Sequence, residues 1–82
     1  MIKGFVAEVI TIHGDALDSE AFATEVDAKA HYEELILEWE DEKDSIDYIT
    51  IYYAEDKDGE CEELDDLGIG SFVKNIETYT YD

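Results

Sequence analysis

Fourteen of the chain's 24 acidic residues fall between Glu38 and Asp66, a stretch of 29 positions holding only two lysines. Carboxylates at that density can ligate a hard cation, pass protons as a close pair, or present fixed charge to a basic surface. All but Asp47 form two blocks. Glu38, Glu40, Asp41, Glu42 and Asp44 make the first; Glu55, Asp56, Asp58, Glu60, Glu62, Glu63, Asp65 and Asp66 make the second. If the second block returns as a strand after Asp58-Gly59, Glu60 and Glu62 project from one face about 7 Å apart. That spacing is comparable to the distance between successive phosphates on a nucleic-acid strand. Tyr53, beside this block, is of a residue type enriched at interface hot spots.

The cation-ligating and catalytic options fail on named residues. Asp56-Lys57-Asp58-Gly59-Glu60 looks like part of a calcium-binding loop. Aligning Gly59 with the required glycine puts Ala54 where the first carboxylate belongs, and Asp65 where a bidentate glutamate belongs. A tight turn accounts for the segment better, and no metal is expected. Cys61 is the only cysteine, which excludes a disulfide framework and a paired-cysteine metal site. Its acidic neighbours push a thiol away from the reactive thiolate. His13 and His31 are 18 residues apart and share no metal-ligand spacing; His31 reads as a boundary residue of a helix. With 24 carboxylates a close pair arises by chance, so none is assigned to acid–base work. No catalytic residue and no cofactor are expected.

The display of charge remains. Five lysines, no arginine and 24 acids give a formal charge of −19, where a small domain usually carries about 2–8 charges in magnitude. Such a charge repels itself and disfavours direct contact with nucleic acid or anionic membrane. It favours a partner rich in lysine and arginine, such as a nucleic-acid-binding protein or a nuclease. In length and acidity the chain is similar to acyl carrier proteins. It lacks their Asp-Ser-Leu triplet, and its strands contradict their all-helical fold. Small acidic folded proteins without catalytic signatures include anti-restriction and anti-CRISPR inhibitors of phages. They also include immunity proteins and antitoxins that neutralise nuclease toxins. The expectation is therefore an inhibitor, phage- or mobile-element-encoded, that imitates nucleic acid in the basic groove of a host defence complex. An immunity protein, or a domain adapted to high salt, is the alternative; a homodimer is compatible with the sequence. The first residues carry no uninterrupted apolar run, since Glu8 and His13 break it, so a cytoplasmic location in a bacterial host is expected.

These residues need a scaffold, and the apolar pattern supplies one. Ile2–Ile12 is apolar on both alternating registers, as a central strand is. His13-Gly14-Asp15 is turn chemistry, leading to a short strand over Ser19–Ala23. Thr24 is a suitable N-cap for a helix over 25–41, with Ala28, Tyr32, Leu35, Ile36 and Trp39 as its apolar stripe. Ile46–Tyr53 is dense in β-branched and aromatic residues and reads as a strand. Glu60–Leu64 would pair with it, and Ile76–Tyr81 alternates as a last strand, with a helical turn over Ser71–Ile76 as an option before it. One α+β domain over 1–82 results, an antiparallel sheet of four to five strands with one amphipathic helix on a face (β-β-α-β-β-β).

Overall fold

Four strands and one α-helix form the chain in the computed structural model, which describes residues 1–81. In chain order they are β1 (Lys3–Thr11), β2 (Ala16–Phe22), α1 (Glu25–Glu38), β3 (Ile46–Glu55) and β4 (Phe72–Tyr79). The sheet is antiparallel throughout, in the order β2-β1-β3-β4. The expected α+β architecture is observed, with the lower of the expected strand counts.

The two central strands are apolar on both faces, so both faces need cover. Phe5, Ala7 and Val9 of β1, with Ile49 and Ile51 of β3, face α1 and meet Ala28, Tyr32 and Leu35. Trp39 and Ile36 close the edge of that layer. Val6 of β1, Tyr52 and Ala54 of β3 and Ala21 of β2 point the other way. Leu67 covers them, flanked by Leu64 and Cys61, all three from the connection between β3 and β4. Gly4 lies under this connection: a Cβ there would sit 2.5 Å from the Phe22 carbonyl oxygen and 2.7 Å from Leu64 Cδ1. No larger residue fits without moving backbone.

The β1–β2 turn closes with Thr11 N–H donating to the Asp15 carbonyl at 2.9 Å, and Gly14 takes the positive φ of 87° it requires. α1 starts where expected, Thr24 Oγ1 accepting from Asp27 N–H at 3.3 Å. It stops at Glu38 instead of 41. Residues Glu40–Ser45 tighten into 3₁₀ turns, kinked at Glu42, because the chain must drop back to pair Ile46 with Thr11. The Tyr81 hydroxyl donates to the Ile36 carbonyl and ties the C-terminal segment to the helix end.

The expected strand over Glu60–Leu64 does not form. Residues 56–71 make a loop with two short 3₁₀ turns, Leu64–Asp66 and Ile69–Ser71, and β3 pairs with β4. Asp56 explains the difference. Its carboxylate takes the backbone N–H groups of Glu60 (3.1 Å) and Cys61 (2.8 Å), removing the donors a ladder would need and curling the chain back. The apolar residues Cys61, Leu64 and Leu67 are three apart, a turn spacing that brings them all onto the sheet.

Candidate functional site

The sheet separates the two acidic blocks. β1 and β3 pair from Lys3–Glu55 at one end to Thr11–Ile46 at the other, about 30 Å of strand at about 3.3 Å per residue. Glu38, Glu40, Asp41, Glu42 and Asp44 occupy the Thr11–Ile46 end, on the side of α1. The loop with Asp56, Asp58, Glu60, Glu62, Glu63, Asp65 and Asp66 starts at the opposite end and covers the opposite face. The topology therefore builds no continuous acidic field on one side of the sheet. The 7 Å row of Glu60 and Glu62 is likewise lost with its strand.

The two blocks also differ in what their carboxylates do. All five residues of the helix-end block are exposed. Glu33 and Glu34 extend it along the outer face of α1, and Glu34 and Glu38 are helix neighbours with Cβ atoms about 5–6 Å apart. No basic residue stands in the last turn of α1 to offset them against the helix dipole.

In the loop, several carboxylates are already engaged. Asp56 is only 7 % exposed and accepts the two bonds given above, while its own N–H donates to the Ile2 carbonyl at 2.8 Å. It holds the loop together and is withdrawn from any partner, against the sequence expectation. Asp66 Oδ2 accepts from Glu62 N–H (3.0 Å) and Glu63 N–H (3.1 Å), and the Glu63 side chain returns a bond to the same turn. Glu55, half-buried, accepts from the Tyr53 hydroxyl at 2.7 Å. Asp58, Glu60, Glu62 and Asp65 are exposed. Tyr53, expected as an interface residue beside the second block, packs at a tilt against Phe5 on the helix side of the sheet, at 5.3 Å between centroids and away from the loop.

Among the described residues, no group of carboxylates, histidines and cysteine is arranged to hold a metal ion. The Cys61 thiol is pushed up, first by burial and then by the Asp56 carboxylate. His31 is half-buried against Phe22 (5.3 Å), with Nε2 3.4 Å from Glu20 Oε2 but without hydrogen-bond geometry. No helix among these residues is long and apolar enough to cross a membrane.

Nineteen acidic residues are exposed; among the described ones the exceptions are the buried Glu8 and Asp56 and the half-buried Asp18 and Glu55. The lysines barely offset them, since the only lysine ion pair among the described residues joins Lys29 to Glu77 at 3.6 Å. Glu8 belongs to neither block. It stands in the middle of central β1, and sequence patterning passed over it. The available signal was its place as the one acidic residue inside a strand apolar on both registers.

No protein-family model, no curated protein and no solved structure matches the chain.

Proposed function

We propose that the protein is a binding module, not an enzyme, that occupies the nucleic-acid-binding groove of a basic protein by presenting carboxylates in place of phosphates. The observation that supports this best is a folded scaffold of charge −19 whose acidic residues are nearly all exposed and almost unpaired by its own lysines. Such a field speeds encounter with a lysine- and arginine-rich groove and repels nucleic acid and anionic membrane. The helix end is the leading contact surface. Its carboxylates are free, and they sit where the helix dipole makes them unfavourable, so stability does not account for their presence. A phage- or mobile-element-encoded inhibitor of a host defence complex is the setting this chemistry suits, acting in the bacterial cytoplasm.

The test is capture from a bacterial lysate on the immobilised protein at low ionic strength, with the retained proteins identified by mass spectrometry. A nucleic-acid-binding protein that is displaced both by added duplex and by salt is the expected result. Retention that duplex does not disturb, or the absence of any nucleic-acid-binding protein, would overturn the reading. Unfolding at low salt with recovery above molar KCl would assign the charge to salt adaptation instead.

A further inference from the structure

The face of the sheet away from α1 is only partly covered by the 56–71 loop. Beyond the loop lies a hollow of about 280 Å³, walled by Tyr48, Tyr52 and Phe72 and floored by Glu8 and Thr50, with Asn75 at its β4 side. Its polar groups fall into two sets. Thr50, Asn75 and Thr78 satisfy one another: Asn75 Nδ2 donates to Thr50 Oγ1 at 2.7 Å, and Thr78 Oγ1 donates to Asn75 Oδ1 at 3.2 Å. Glu8 and Tyr52 are left wanting. Tyr52 is 1 % exposed, yet its hydroxyl has no hydrogen-bond partner. Glu8 is 5 % exposed and no cation pairs with it among the described residues; Ser19, opposite it on β2, is its side-chain hydrogen-bonding neighbour. The two are diagonal neighbours across β1 and β3, since Glu8 pairs with Thr50 and Val6 with Tyr52.

A buried carboxylate without a counter-charge and a buried phenol without a partner each cost stability. Meeting in one hollow, they describe the ligand that would relieve both. We infer that this hollow binds a guanidinium group, with the Glu8 carboxylate as counter-ion, the Tyr52 oxygen as acceptor, and the rings of Tyr48 and Phe72, the latter held against Tyr52 at 5.3 Å, as stacking walls.

The alternatives fail on chemistry. An anion would meet Glu8 in the field of a −19 protein. A divalent metal needs several oxygen ligands, and here there is one carboxylate. An ammonium is compact and strongly hydrated, whereas guanidinium is planar, weakly hydrated, stacks on aromatic faces and presents a flat fork of donors to the Glu8 carboxylate. The volume lies just below the roughly 300–1,000 Å³ of small-molecule pockets and suits one side chain. The assignment stands independently of the proposed function, because it concerns a small cation and requires no nucleic-acid-binding protein.

The test is a ¹H–¹⁵N shift titration of the full chain at 150 mM salt, with methylguanidinium and, separately, N-acetyl-Gly-Arg-Gly-amide. Saturable shifts confined to Glu8, Thr50, Tyr52, Phe72 and Asn75 are expected. Binding of the peptide assigns the group to a partner's arginine, and binding of methylguanidinium alone assigns it to a free metabolite; both support a guanidinium site. Glu8→Gln should weaken binding about tenfold, the loss of one charge-assisted hydrogen bond. Tyr52→Phe removes only an unpaired hydroxyl, so it should keep the fold and weaken binding severalfold. Shifts spread over the exposed carboxylates and unchanged in both variants would overturn the inference. So would equal binding of the lysine peptide, N-acetyl-Gly-Lys-Gly-amide.

Discussion

The helix end and the 56–71 loop carry similar densities of carboxylate and use them in opposite ways. In the loop, Asp56 and Asp66 each accept two backbone N–H groups, so the acids build the segment that carries them. At the helix end, Glu38, Glu40, Asp41, Glu42 and Asp44 are exposed, and they crowd the negative pole of α1 with no basic residue in its last turn. One set stabilises the protein; the other costs it stability. Acidic density alone therefore does not mark a binding surface. A carboxylate is a candidate contact when the fold has no use for it.

The sharpest way to break this contrast is Asp56→Ala. Losing two charge-assisted hydrogen bonds to a buried carboxylate should cost about 3 kcal/mol, read as a lower urea midpoint, while Asp41→Ala should stay within about 0.5 kcal/mol of wild type. If both substitutions were neutral, the loop would not depend on its acids. Next in size is binding to the captured partner. Reversing Glu38, Glu40 and Asp41 to lysine should weaken it at least about tenfold, since like charges facing each other cost several kcal/mol. Reversing Asp58, Glu60 and Glu62 should do less, and the opposite ranking would move the contact surface to the loop.

Asp66→Ala should cost about 1 kcal/mol, the usual value for a lost capping acceptor, with faster amide exchange at Glu62 and Glu63. Glu38→Lys should instead raise stability by about 0.5 kcal/mol by placing a cation at the helix C-terminus, while weakening the partner. A single substitution that moves the two readouts in opposite directions separates display from architecture.

The smallest effect concerns Glu8, whose carboxyl is held above its ordinary value by burial, partly offset by the Ser19 hydroxyl. The native state then holds this proton more tightly than the unfolded chain does. The site's penalty is absent below the ordinary value of 4.5 and is complete once the pH rises through the raised one. Glu8→Gln should thus be more stable than wild type at pH 7. The gap between their urea midpoints should close as the pH falls toward 4.5.

Some of the fold was legible because its causes are local. The two-sided apolar pattern of β1, the stripe from Ala28 to Trp39, the Thr24 cap and the β-branched run of β3 each depend on neighbours a few residues away. The false strand over Glu60–Leu64 arose where a local signal, Asp58-Gly59, was overridden. A buried side chain, Asp56, took the backbone donors that a hairpin ladder would have used. The expected helix also overran, to residue 41 where α1 ends at Glu38, since nothing local foretold that Ile46 must reach Thr11.

Residue types and short-range periodicity by themselves set the charge of −19, the single cysteine that leaves no internal disulfide, and the class of fold. Where the charge acts was left to the pairing of distant strands. The order β2-β1-β3-β4 sends the helix end and the loop to opposite ends and faces of the sheet. It buries Asp56 and leaves Glu8 beside Tyr52 in a half-covered hollow. Each of these rests on contacts between residues far apart in the chain, which no local pattern encodes.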